Sequence, residues 1–286
     1  MSDCDAARGG SGTLRRMRTL RARIAFCVAA AALATLGAIA PGGEATRARA
    51  ASLPRFPSIS PLCHRTDFES QGRTVRAALC RPAGGATMPA AIVLHGCGGM
   101  GGIDGVLARD LPAHGVAAYY IDYFGLTPAP SKRGFCGAGD AIGQAFPVWQ
   151  QIVVDATRAL ARIPGIDPSR IGAVGWSMGG GLALLAAQYG AGSTPLRRSP
   201  FRALVVLSTF DESSNARALP PTLVLSGGRH DIVPASEAVA LYHTLKQAHV
   251  PAELHVYPNG NHNWKGRQRI AGERWTFSFL RRYLVR

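Results

Sequence analysis

This 286-residue chain is short of acidic side chains, with 17 Asp and Glu against 32 Lys and Arg. It has one long apolar run, Ile24 to Ala40, and no second one after it, so several membrane spans are excluded. No Cys-x-x-Cys or His-x-x-x-His spacing occurs, which argues against a zinc centre. No Gly-Lys-Ser/Thr follows a glycine-rich turn, so a phosphate loop of the P-loop kind is not expected. The basic side chains are scattered, at Arg197-Arg198, Lys265 to Arg269 and Arg281-Arg282, without interleaved aromatics. Such a surface gives bases nothing to stack on, and no nucleic-acid partner is expected. No internal repeat points to a solenoid.

What is present at the start reads as an address. Arg15, Arg16, Arg18, Arg21 and Arg23 precede the apolar run, and Ala48-Arg-Ala50 follows as a small-x-small cleavage site. Residues 1–50 are therefore expected to be a secretory signal peptide, with Met17 as an alternative start. Residues 51–61, rich in Pro and Ser, read as a linker, and 62–286 as one catalytic domain. A periplasmic or secreted protein follows, without stable membrane insertion once the leader is cleaved; the rival is an anchor formed by an uncleaved leader. The first 50 residues hold eight arginines and three acids, so about +10 of the +15 formal charge belongs to 51–286.

Cys4 and Cys27 would leave with the leader, which keeps Cys63, Cys80, Cys97 and Cys136. An even number in an exported chain suggests two disulfides, with three pairings open. Two extended stretches, His64–Glu69 and Thr74–Leu79, joined by Ser70-Gln-Gly72, form a hairpin. A Cys63–Cys80 bridge across it is geometrically natural, and Cys97 and Cys136 then pair by elimination; a free Cys97 thiol is the rival.

Continuous apolar runs at 90–95, 116–121, 171–174, 203–208, 222–226 and 253–257 have the signature of strands buried on both faces. Helical stretches at 105–114, 147–163, 178–189, 234–248 and 268–284 alternate with them. This predicts an α/β fold, a mostly parallel central sheet flanked by helices, with no large lid domain. Tyr123 to Ala145, rich in Gly and Pro, is expected to be a long loop.

The chemistry is expected where strand 171–174 meets helix 178–189, at Gly175-Trp-Ser177-Met-Gly179. A serine hydroxyl is a weak nucleophile and has to be held where a base can reach it. A sharp strand-to-helix turn does this, provided glycines remove the Cβ atoms that would collide. No Gly-x-Gly-x-x-Gly opens this helix. Downstream, Asp231 lies in a loop after strand 222–226, and His262 in the loop after the last strand. The expected roles are Ser177 as nucleophile, His262 as general base and Asp231 as the carboxylate that accepts from the imidazole N–H. Asp211 is a competing acid. The turn His95-Gly-Cys97-Gly-Gly99 is expected to supply the Cys97 backbone N–H to an oxyanion, beside that of Met178. A Cys97–Cys136 bridge would staple the 123–145 loop to that turn, and the His95 ring could tie the turn down.

Taken in order, His95-Gly-Cys-Gly-Gly99, Asp122-Tyr-Phe124, Arg133-Gly-Phe-Cys136, Gly175-Trp-Ser-Met-Gly179, Gly228-Arg-His-Asp231 and Gly260-Asn-His262 resemble the dienelactone hydrolase family of α/β-hydrolases. The resemblance covers residues 60–286. It implies an α/β-hydrolase fold and hydrolysis of a small-molecule carboxylic ester or lactone, with no cofactor and no metal. The enzymes that name the family carry cysteine as nucleophile, so Ser177 points to a serine esterase rather than to dienelactone itself. Three rivals share these features: a small serine peptidase of the prolyl oligopeptidase type, an acyltransferase acting on envelope components, and a non-catalytic binding protein of the same fold.

Overall fold

The computed structural model describes residues 63–84, 87–229 and 231–286. The expected signal peptide at 1–50 and linker at 51–61 lie outside the described residues. Among the described residues ten strands form two sheets. The large sheet has the order β1 (Cys63–Arg65), β4 (Ala77–Cys80), β6 (Ala117–Ile121), β5 (Met88–Leu94), β7 (Ile166–Trp176), β8 (Leu204–Leu207), β9 (Thr222–Gly227) and β10 (Ala252–Tyr257). From β6 to β10 every pairing is parallel; β1 and β4 add an antiparallel edge. This is the mostly parallel sheet expected from the apolar runs, in the α/β-hydrolase arrangement that the family resemblance implied. The small sheet is the hairpin of β2 (Phe68–Ser70) and β3 (Arg73–Val75). Its turn places Gln71 and Gly72 both at positive φ, the geometry whose twist matches that of the flanking strands.

Strand alternation builds two cores. Ala90, Ile92, Leu94, Tyr119, Ile121, Leu204, Val206 and Val224 face one side of the sheet. Helices α2 (Gly139–Ala161), α3 (Met178–Tyr189) and α4 (Ala235–Gln247) cover that side with Trp149, Ile152, Leu182 and Leu241. Their neighbours Ala91, Val93, Ala118, Tyr120, Val205, Leu207 and Leu225 face the other side. There α1 (Gly102–Asp110) and α5 (Gly266–Leu280) supply Ile103, Leu107, Phe277 and Leu280. Both faces are therefore dry, which is why the strands read as unbroken apolar runs rather than alternating ones.

One expected boundary moves. The 123–145 segment is not loop throughout, because α2 begins at Gly139 and carries Gly143 and Pro147 within it. An interior proline forfeits a helical hydrogen bond at a cost of about 3 kcal/mol. Burying Trp149, Ile152, Val153 and Leu160 offsets it, since each large apolar side chain contributes roughly 1.5–3 kcal/mol. Local propensity loses to tertiary packing there.

The topology also positions the site. The chain leaves β5 for β6 on one side, then returns past β5 to β7 on the other. The carboxyl ends of β5 and β7 flank that reversal, where open parallel sheets leave a crevice. Register pairs Leu94 with Gly175, so the His95–Gly99 turn and Ser177 emerge side by side.

Candidate active site

Ser177 sits at the junction of β7 and α3 with φ 56° and ψ −122°. A side-chain-bearing residue rarely adopts such a conformation, and holding it there costs roughly 1–3 kcal/mol. The flanking glycines are imposed by contact. A Cβ on Gly175 would lie 2.3 Å from the Gly179 carbonyl oxygen, and one on Gly179 would lie 2.4 Å from that of His95. At Gly180 it would meet the Thr209 Cβ at 2.8 Å. The Ser177 N–H donates to the Leu207 carbonyl at 2.8 Å, tying the turn to β8.

His262 arrives from the loop after β10. Its Nε2 stands 2.9 Å from Ser177 Oγ, and the residue is only 5% exposed. Burial lowers its pKa below the ordinary histidine value, and the Asp231 charge opposes this only in part. The loop is held at several points. Trp176 Nε1 donates to the His262 carbonyl at 3.1 Å. Gln268 accepts from the Asn261 N–H at 3.0 Å and donates to the Asn261 carbonyl at 2.7 Å. Trp264 Nε1 donates to Ser208 Oγ at 2.9 Å.

Asp231 lies beside the histidine, but its contact differs from the expected one. Its Oδ2 accepts the His262 backbone N–H at 2.7 Å, while the buried Nδ1 has no partner among the described residues. The carboxylate thus grips the loop that carries the ring rather than the ring itself. Its place on an exposed turn lets a backbone N–H of the histidine loop, that of His262 itself, compete for it. Burial pushes the Asp231 carboxyl up, yet the N–H donors of His262 and Ile232 outweigh this and hold it below its ordinary value. Asp211, the competing acid, instead accepts from the Ser213 N–H at 3.0 Å and from the Ser213 hydroxyl.

The expected oxyanion donors come from two adjacent strand ends. Met178 opens α3, where the first N–H groups of a helix have no intrahelical acceptor. The Cys97 N–H donates to no backbone carbonyl among the described residues. Its turn is closed by Gly99 N–H to the Gly96 carbonyl at 3.1 Å and packs on Trp176, whose ring a Cβ on Gly96 would strike at 2.8 Å. Disulfides join Cys97 to Cys136 and Cys63 to Cys80. The first is reinforced by the Phe135 N–H, which donates to the Cys97 carbonyl at 2.8 Å. Gly134, at φ 65°, passes so close that a Cβ would lie 2.3 Å from that same oxygen. The part of the 123–145 segment before α2 is thereby bolted to the turn.

The His95 ring ties the turn down as expected, while sequence reasoning missed the groups that support that ring. His95 is fully buried, its Nδ1 2.9 Å from the Gly96 carbonyl and its ring stacked on Tyr123 at 4.0 Å. Tyr123 Oη donates to the His95 carbonyl at 2.6 Å. Asp122, ion-paired with Arg76, stands 3.7 Å from His95 Nε2, an electrostatic contact rather than a hydrogen bond. Beyond the turn, the Gly101 N–H donates to Tyr120 Oη at 2.7 Å and to Asp104 Oδ2 at 3.1 Å. Burial raises the Asp104 pKa to about 6. The one signal available for these groups was polar residues inside or next to apolar strands. Trp176, at the variable position of the motif, gave none. Among the described residues no three His, Cys, Asp or Glu side chains converge as metal ligands.

Comparison with known proteins bears on the family and the fold. The model of the Dienelactone hydrolase family matches residues 75–276. Lipase 1 of a Moraxella species (strain TA144) is 43% identical over 61 residues, which is 21% of this chain and 17% of that lipase. The dienelactone hydrolase of Anabaena variabilis superposes with a TM-score of 0.59 at 20% identity, covering 78% of this chain and 98% of the other. An acylaminoacyl peptidase of Pyrococcus horikoshii gives 0.61 at 16% identity, and there the match spans 41% of the peptidase. These structural likenesses share the fold.

Proposed function

The chain belongs to the dienelactone hydrolase family, and from that premise we propose that it is a serine esterase, cleaving carboxylic esters or lactones through an acyl-enzyme on Ser177. The observation that carries the reading is the 2.9 Å approach of His262 Nε2 to Ser177 Oγ at a strained strand-to-helix turn. Ser177 Oγ attacks the ester carbonyl carbon while Nε2 takes its proton. The tetrahedral oxygen then accepts from the N–H groups of Cys97 and Met178, which are fixed before substrate arrives. Collapse expels the alkoxide, protonated by His262, and a water deprotonated by the same nitrogen releases the acid. Asp231 stays ionised, anchors the His262 backbone and stabilises the imidazolium by its charge.

Because Nε2 must be neutral to accept the proton, kcat/KM should fall as pH drops through the His262 pKa. Burial puts that limb below the ordinary histidine value of about 6.5. Two disulfides fit an oxidising compartment, which supports export with residues 1–50 as the leader.

The test is hydrolysis of p-nitrophenyl acetate, butyrate and octanoate by the wild type and by Ser177→Ala. We expect turnover that the substitution lowers by about 10⁴-fold or more. Turnover of aminoacyl amides but of no ester, by folded protein, would move the assignment to a peptidase. No turnover above the Ser177→Ala variant on either substrate would leave a binding protein.

A further inference from the structure

The outer face of α5 and the final π-helical turn, Arg281–Val285, border a cleft of about 640 Å³. Its cationic lining comes from Arg274, Arg281 and Arg286, together with Arg282. Its apolar part is Phe277, whose ring stacks on His114 at 4.0 Å, and Ile270, which is 58% exposed. Residues 270, 274, 277 and 281 recur every three or four positions, so they share one stripe of the helix, with 278 beside it. Arg282 is held by Glu253, and the one acid in the lining, Glu273, is held by Arg269. Arg274, Arg281 and Arg286 have no ion-pair partner among the described residues, and all three are exposed.

The end of the cleft formed by Arg281, Arg282 and Arg286 lies at the opposite end of the sheet from the proposed esterase site. Arg170, at the entry of β7 into the parallel sheet, donates to the Leu284 carbonyl at 3.4 Å, and a Cβ on Gly172 would touch the Leu284 side chain at 3.1 Å. Seven residues of strand separate Arg170 from Ser177, roughly 23 Å at 3.3 Å per residue. Whatever occupies the cleft leaves the carboxyl-end crevice open.

We propose that this cleft docks the protein on a surface of anionic phospholipid headgroups. Guanidinium forks match phosphate oxygens two at a time. Three unpaired ones within a single cleft favour several phosphates over one. Ile270 decides between a lipid surface and a dissolved polyanion: a membrane interface takes an apolar side chain among cationic ones, and a dissolved polymer offers it nothing. The arrangement holds the active site away from the surface, facing soluble or released substrates.

The experiment is co-sedimentation of the protein without its proposed leader, residues 51–286, with vesicles of phosphatidylcholine alone and of phosphatidylcholine mixed with phosphatidylglycerol. It reads binding, not turnover, so it stands apart from the esterase assignment. The chain should pellet with the anionic vesicles only. Each basic side chain at such a surface is worth about fivefold, so Arg274→Gln/Arg281→Gln/Arg286→Gln together should weaken binding by about 100-fold. The same three sites changed to Lys should keep it to within about tenfold. The charge-matched control is Arg197→Gln/Arg198→Gln/Arg217→Gln, three exposed arginines in the segment between α3, which covers the other sheet face, and β9. It should lose only a few-fold. Equal losses in the two Gln variants would reduce the effect to net charge and overturn the proposal. So would equal pelleting with both vesicle types, or retention on a soluble sulfated polymer without vesicle binding.

Discussion

The two halves of the candidate site are built by different means. The Ser177 half, on β5 and β7, is fixed by backbone contact: Gly175, Gly179 and Gly134 each admit a neighbour to a distance no Cβ allows, and a disulfide closes the turn. The Asp231–His262 half, on the loops after β9 and β10, also has a close approach, since a Cβ on Gly227 would lie 2.7 Å from the Asn261 carbonyl oxygen, but its loop is held chiefly by side-chain hydrogen bonds: Asp231 accepts one, Trp176 donates one and Gln268 makes two, with an exposed carboxylate among them. Rigid contact suits the proposed nucleophile and oxyanion donors, whose geometry has to precede the substrate. Hydrogen bonds suit the proposed base, which in the proposed reaction moves a proton twice per turnover and whose charge has to be tunable.

That contrast can be broken at its strongest point with Gly179→Ala. The new methyl would meet the Leu94 and His95 carbonyls, and we expect a loss of about 3 kcal/mol or more, read as a lowered midpoint in urea unfolding. A variant of unchanged stability would show that the elbow can yield. On the other half, Asp231→Asn should leave stability nearly intact but lower kcat/KM by about 100-fold. The Asp231 charge raises the His262 pKa, so removing it should carry the acid limb of the pH profile to lower pH. A limb that moved upward would contradict the assigned electrostatics. The smallest effect separates the two disulfides. Both close loops of a size worth roughly 2–4 kcal/mol. Cys136→Ala should in addition lower kcat/KM by about tenfold, since it frees the Cys97 turn; one oxyanion donor removed outright costs more, about 100-fold. Cys80→Ala should spare it. Equal activity of the two variants in non-reducing buffer would detach the bridge from the chemistry.

The rigid half was the more legible of the two in the sequence. Steric demands act between near neighbours, so Gly175 and Gly179 announce the turn, and strand register then carries the Cys97 turn to its side. His262 was legible from chain order after the last strand. The contact Asp231 makes was not, because it depends on which loop N–H reaches the carboxylate first. Trp176 was silent because its indole binds a carbonyl 86 residues away. The start of α2 was hidden for the opposite reason: Gly139, Gly143 and Pro147 speak locally against a helix that the burial of Trp149 enforces from a distance.

The bolted segment has a consequence for how such a protein can diversify. Residues 128–133 form an exposed rim whose far end is pinned by Gly134, Phe135 and Cys136 to the Cys97 turn. Pro128 to Arg133 can therefore be exchanged, lengthened or recharged while the donor they border stays where it is. A library restricted to those six positions would search preference for the substrate without searching the reaction itself.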